Sequence, residues 1–140
     1  MLSELIGRLE KSTGPDRELD CAIAYAVDFK CEGTETTWRQ LVDQIGMEYA
    51  VANATRFHSF WREAIPQFTG SVDAALTLVP EGWNWQAQGN DVLGRVKPYA
   101  IMGLPGQAEA DGMGASPAIA LCIASLKARL SLGAKPQEIP

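Results

Sequence analysis

The switch of hydrophobic periodicity at Pro80 constrains the fold of this chain more than any other feature of the sequence. Ser71 can cap a short helix, and Pro80 prevents that helix from continuing. Between them, apolar residues fall at helical spacing: Val72, Ala75, Leu76 and Val79. After Gly82, Trp83 and Trp85 alternate with polar residues, which is the period of a strand with one apolar face. The chain is therefore predicted to pass directly from a helix into a β-sheet, as in an α/β (α+β) domain.

Similar helical patterns occur on both sides of this switch. Before Ser71, they predict helices over residues 2–9, 15–27, 38–49 and 57–65. A last helix is predicted to begin at Ser116-Pro117 and to end near residue 131. Residues 118–124 of this helix are apolar on every side, so we expect the sheet to bury them.

The remaining strands are predicted from turn residues. Gly89-Asn90-Asp91 favours a hairpin into a second strand at 92–102, in which Pro98 cannot donate to a ladder. Residues 107–111 alternate between small apolar and acidic side chains and predict a third strand. The sheet is therefore expected to be small and mainly antiparallel.

The length, charge and cysteine content of the chain exclude several classes of protein. The chain has 140 residues, enough for one domain over residues 1–140, and a net charge of -5. That charge argues against binding a nucleic-acid polymer, which needs clustered cations. No apolar run approaches the ~20 residues that span a bilayer, and the first residues do not resemble a signal peptide. Three cysteines without a Cys-x-x-Cys pair fit a reducing compartment, so a cytoplasmic protein is expected, with a frayed tail at about 133–140.

The sequence lacks the common catalytic motifs. His58 is the only histidine, which excludes a metal site built on two histidines. Neither a Gly-x-Ser-x-Gly elbow nor a phosphate-binding P-loop is present. We therefore expect a non-enzymatic protein without metal or cofactor. The open enzymatic alternative, cleavage of a small phosphorylated molecule, requires carboxylates to converge in one cleft, and the candidates are Glu18, Asp20, Asp73 and Glu81.

The candidate binding residues are aromatic side chains and the cationic side chains near them. Rings stack on planar ligands, and guanidinium groups make charge-assisted bonds to anions. The candidate ligand-binding residues are Arg56, His58, Trp61, Arg62, Trp83, Trp85, Arg95, Lys97, Tyr99 and Ser116. The alternative is that the helical aromatic residues pack in the core while the charges face solvent, and that the two strand tryptophans form the core side of the sheet.

Four segments in this order resemble the phage ABA sandwich domain family. They are residues 4–20 with Gly-Pro-Asp-Arg-Glu-Leu-Asp at the end, Phe-Thr-Gly-Ser-Val-Asp-Ala-Ala at 68–75, Val-Pro-Glu-Gly-Trp at 79–83, and the apolar helix at 118–129. The resemblance implies a three-layer α-β-α sandwich encoded by a phage or prophage, and it implies no activity. Residues at about 30–66 match the family less well and are interpreted as a helical insertion.

Two functional hypotheses follow. In the first, this phage accessory protein sequesters a small anionic, nucleotide-derived signal of host immunity in an aromatic and basic pocket of a homo-oligomer. In the second, the helical insertion is a protein-interaction module that binds a host or phage protein; an exposed tryptophan there would favour it.

Overall fold

A computed structural model describes residues 2–31, 34–56, 59–89 and 96–134, with the side chains of the last helix described to Leu132. Its elements in chain order are α1 (Leu2–Lys11), α2 (Arg17–Ala26), α3 (Trp38–Ile45), α4 (Met47–Thr55), α5 (Phe60–Ala64), α6 (Val72–Leu76), β1 (Asn84–Gln88), β2 (Tyr99–Leu104), β3 (Ala108–Met113) and α7 (Pro117–Ala134). The α+β class with an antiparallel sheet is confirmed. None of the helices in these ranges is long and apolar enough to cross a membrane.

The core is centred on α7. Its side chains from Ala118 to Leu126 are all buried, as the apolar pattern predicted. The sheet packs on one side of α7, and α1 and α6 pack on its other sides. The layer order is therefore sheet, α7, remaining helices, because a helix that is apolar all round must be covered on all sides. In the part of the chain that the structure describes, the second face of the sheet carries exposed side chains such as Ile101 and Met113 and no helix covers it.

The three strands form a meander in the order β1-β2-β3. Met102 of β2 lies opposite Trp85 on β1 and Ala110 on β3, so these three side chains point to the face that α7 covers. Gly112 brings β3 close to α7, since a Cβ atom there would lie 2.7 Å from both Ala120 O and Ala124 N. Trp85 is 48% exposed because it lies on the edge strand, at the margin of α7.

The segment between α2 and α6 contains three helices where two were predicted. Gly46 has φ +91, which ends α3 and starts α4 with a new helix axis. The helix predicted from residue 57 begins at Phe60, and Phe57 lies outside the described residues. β2 begins at Tyr99, directly after Pro98, and the predicted strand residues 92–95 also lie outside the described ranges.

This segment shares the core of the domain. Trp38 is fully buried and its indole Nε1 donates to Cys21 O at 2.9 Å. The ring of Trp61 lies 5.5 Å from that of Trp38. Arg39, the residue after Trp38, donates hydrogen bonds from its guanidinium to the carbonyl oxygens at the end of α2. Helices α3 to α5 are thus fixed to α2 through buried contacts.

Candidate functional site

A buried polar cluster joins two of the segments that carry the family resemblance. The Asp20 carboxylate accepts hydrogen bonds from Thr69 N and Thr69 Oγ1, each at 2.8 Å, and from Arg17 Nη1 at 2.9 Å. Arg17 also donates to Pro66 O, Arg62 O and Ile65 O. We call Arg17, Asp20 and Thr69 the Asp20 clasp. The Asp20 carboxylate, the Thr69 hydroxyl and both terminal nitrogens of Arg17 have protein partners, so the role of the clasp is to hold α2 against residues 62–69.

The carboxylates considered for catalysis are in different environments. Asp20 is buried in the clasp, whereas Glu18, Asp73 and Glu81 are exposed. Among the described residues there is no group of three or more His, Cys, Asp or Glu side chains that could hold a metal ion.

Several predicted ligand-binding residues have structural contacts. Trp61 and Trp83 are buried, so their ring faces contact the protein interior. Tyr99 donates its hydroxyl to Gln88 Oε1 at 2.6 Å on the open face of the sheet. Ser116 Oγ accepts from Ile119 N at 3.2 Å and caps α7. The alternative that aromatic residues pack in the core therefore describes Trp61 and Trp83.

The other predicted residues are spread over the surface. Trp85 and Lys97 are exposed in the region of the sheet, while Arg56 and Arg62 are exposed on the helical side. His58 and Arg95 lie outside the described residues. Among the described candidates, Arg56 and Arg62 line two clefts that meet, since Thr55 borders both.

Arg56 lies in the first of these clefts, which has a volume of about 710 Å³. We call it the α4 cleft; its lining residues are Glu18, Met47, Glu48, Tyr49, Val51, Ala52, Thr55 and Arg56. Tyr49 is 74% exposed, and Met47 together with the neighbouring Ile45 is also exposed. The cleft combines an apolar surface with two carboxylates and one guanidinium.

Arg62 lies in the second cleft, of about 670 Å³, on the far side of Thr55. We call it the Arg62 cleft; it is lined by Arg17, Ala54, Thr55, Arg62, Glu63, Ile65, Pro66, Gln67, Ser71 and Ala74. The guanidinium of Arg17 is occupied by the clasp, whereas no ion pair or side-chain hydrogen bond involves the Arg62 guanidinium within the described ranges. The Arg62 cleft is therefore polar and carries one available cation.

Sequence reasoning missed Tyr49 and Ile45 as surface residues. Both fit the apolar stripe of one continuous helix from Trp38. The break at Gly46 changes the helix axis, and Ala50 and Ala54 then form the buried face of α4. The available signal was the glycine itself, because glycine within a helical pattern often marks a helix end.

The thiols of Cys21 and Cys122 are buried in the core. Burial raises the pKa of Cys21 to about 11 and that of Cys122 to about 12. Cys122 Sγ lies 3.3 Å from Phe68 O in the core. Both residues act as small core side chains, because a protonated buried thiol is a poor nucleophile.

Comparison with known protein families, with curated proteins and with solved structures found no match to this chain. The resemblance to the phage ABA sandwich domain family stays a prediction from the sequence.

Proposed function

We propose that this protein binds a partner protein through the α4 cleft. The observation that carries this proposal is the exposure of Ile45, Met47 and Tyr49 around a cleft that ends at Arg56. Tyrosine, methionine and arginine are enriched at protein interfaces and supply much of the binding energy there. The surface belongs to the helical segment that the sequence singled out, although its tryptophans are buried and its exposed aromatic residues, among those described, are Tyr49 and Phe60.

Charge defines the kind of partner. Among the described lining residues of the α4 cleft, Glu18 and Glu48 carry negative charge and Arg56 carries positive charge. The chain as a whole carries a net charge of -5. A partner that places an apolar side chain in the cleft with a lysine or arginine beside it would satisfy both features, and the charges would increase its association rate.

The cleft residues can be tested without unfolding the protein. The buried face of α4 consists of Ala50 and Ala54, whereas Tyr49 points to solvent. Substitution of Tyr49 therefore removes little packing, because surface substitutions usually change stability by less than about 0.5 kcal/mol.

Photo-crosslinking tests the surface directly. Tyr49 is replaced with p-benzoylphenylalanine, and the same replacement at the exposed Met113 on the open sheet face is the matched control. We expect position 49 to crosslink one defined protein and position 113 to crosslink none. With that protein purified, Tyr49→Ala should weaken binding by roughly 30-fold, about 2 kcal/mol, and Met113→Ala should leave it unchanged. Equal crosslinking from both positions would contradict the proposal.

A second function is favoured by the Arg62 cleft. Its volume of about 670 Å³ is within the usual range for small-molecule sites, and the Arg62 guanidinium suits an anionic group. In this proposal a homo-oligomer in the host bacterial cytoplasm sequesters a nucleotide-derived immune signal there.

Thermal unfolding tests this second function. A ligand at a hundred times its dissociation constant adds about 2.7 kcal/mol to the free energy of unfolding. The probes are cyclic di- and trinucleotides and ADP-ribose. The shift should disappear in Arg62→Ala and remain in Arg56→Ala, which removes the same charge from the neighbouring cleft. A panel without any shift, or equal loss in both variants, would refute it.

A further inference from the structure

A third cavity, which shares Pro66 with the Arg62 cleft, lies between the end of α2 and the side of α7. It has a volume of about 530 Å³ and we call it the Arg129 cavity; it is lined by Val27, Asp28, Phe29, Lys30, Pro66, Phe68, Thr77, Leu78 and Arg129. Phe68 and Leu78 are buried, whereas Phe29 and Val27 are half-buried against the core. Most of its wall is therefore apolar.

The wall that follows α2 has a defined conformation. Asp28 has φ +54, a left-handed conformation that turns the chain back after the helix. Phe29 N then donates to Ala24 O at 2.9 Å. The turn at Asp28 and this hydrogen bond hold Phe29 at the side of the cavity before any ligand binds, which reduces the entropic cost of ordering the site on binding.

Arg129 supplies the charge inside this apolar setting. Its guanidinium is half-buried, and Nε donates to Leu78 O at 2.9 Å. No described carboxylate forms an ion pair with it. Burial lowers the pKa of Arg129, which shows that the charged form is partly desolvated. An anion beside its terminal nitrogens would offset that cost.

The other charges around the cavity leave a positive balance. Lys30 is exposed at the rim. Asp28 is the carboxylate among the described lining residues, and it forms an ion pair at 3.8 Å with Arg39, which is not one of them. Arg129 and Lys30 thus border an apolar space of ligand size, and the described carboxylate beside them, Asp28, is paired with Arg39.

We propose that the Arg129 cavity binds an amphiphilic anion, that is, a carboxylate or phosphate joined to an aliphatic chain or an aromatic ring. The terminal nitrogens of Arg129 bind the anionic group, and Lys30 adds a second cation at the rim. The apolar part of the ligand packs against Phe29, Phe68 and Leu78. This site shares no residue with the α4 cleft, so it stands or fails independently of the proposed partner binding.

Amide chemical shifts of the full chain measure binding to this cavity. The probes are octanoate, octylammonium, octanol and acetate. Octanoate should shift the amides at 27–30 and 77–78, and the other three should bind about tenfold more weakly or not at all, since each lacks the charge or the apolar chain. Equal binding of octanol or octylammonium would overturn the role of Arg129. Equal binding of acetate would overturn the role of the apolar wall.

Two variants locate the site. Arg129→Gln should weaken octanoate binding by about tenfold, and Arg8→Gln, at an exposed position on α1, should leave it unchanged. If Arg129→Gln fails to fold, Thr77→Tyr tests the same cavity. Thr77 is exposed at the edge of the cavity, and the tyrosine ring would fill the space that the ligand needs. Retained octanoate binding in Thr77→Tyr would refute the proposal. So would capture on phosphatidylglycerol vesicles without any response to monomeric octanoate, which would indicate a lipid surface as the ligand.

Discussion

Replacing Asp20 by asparagine tests whether the clasp stabilises the fold. The carboxylate accepts three hydrogen bonds, two from Thr69 and one from Arg17, in a side chain that is only 2% exposed. Asparagine can keep the two bonds from Thr69 through its oxygen. Its amide group then faces the guanidinium of Arg17, so a donor meets a donor and the Arg17 charge loses its partner.

The magnitude follows from these contacts. A hydrogen bond to a charged group contributes about 1.5–3 kcal/mol, and breaking a buried ion pair costs about 3–5 kcal/mol. Since the Arg17 side chain is 31% exposed, water can solvate part of it, and we expect a loss near the lower value, about 3 kcal/mol. With a urea slope of roughly 2 kcal/mol per molar, the midpoint should fall by about 1.5 M.

Urea unfolding followed by tryptophan fluorescence measures this change. The matched control is Asp43→Asn, because Asp43 is exposed and its carboxylate accepts one hydrogen bond, from the Tyr25 hydroxyl at 2.9 Å. Its unfolding midpoint should move by less than about 0.3 M. If both asparagine variants unfold at the same urea concentration, the clasp does not stabilise the fold and the reasoning from its geometry is wrong.

Three further perturbations test the packing and the buried thiols. Gly112→Ala should lower the free energy of unfolding in urea by about 1–3 kcal/mol, because the alanine Cβ would lie 2.7 Å from backbone atoms of α7. A Cβ at Gly7 would meet no atom within 4 Å, so Gly7→Ala should stabilise α1 by about 0.5–1 kcal/mol. Equal effects of the two substitutions would contradict the close approach of β3 to α7. Trp38→Phe should cost about 1–3 kcal/mol by removing the bond to Cys21 O, and an unchanged midpoint would show that this bond contributes nothing. The folded-state pKa values of Cys21 and Cys122 are raised to about 11 and about 12, so their contribution to stability is complete below about pH 9 and is lost as the pH rises towards those values. The unfolding free energy should therefore fall less steeply above about pH 9 when both are replaced by alanine, and parallel curves would contradict this.

The sequence predicts the centre of the fold better than its surface. The all-round apolar pattern of α7 and the switch at Pro80 depend on local chemistry, and the structure has both features. The side of the sheet that stays open could not be predicted, because the alternating pattern of β2 places Ala100 and Met102 on one face without saying what covers the other. The division of the helical segment at Gly46 was missed since both possible helices share one hydrophobic period.

The candidate site was less predictable for a physical reason. Aromatic and cationic residues serve both packing and binding, and their spacing is the same in either role. Trp61 and Trp83 fill the core, whereas Tyr49 and Arg56 remain on the surface. Only the tertiary contacts distinguish the residues that pack in the core from those that remain on the surface. The burial of Trp38 against Trp61, for example, depends on helices that lie more than twenty residues apart in the chain.

The Asp20 clasp connects the conformation of α2 with both surface clefts. The clasp residue Arg17 borders the Arg62 cleft, and the next residue along the chain, Glu18, borders the α4 cleft. The clasp residues are therefore used for folding, while the surfaces beside them come largely from α4 and α5. A clasp variant that still folds should accordingly alter both clefts, whereas a Tyr49 or Arg62 variant should alter only one of them.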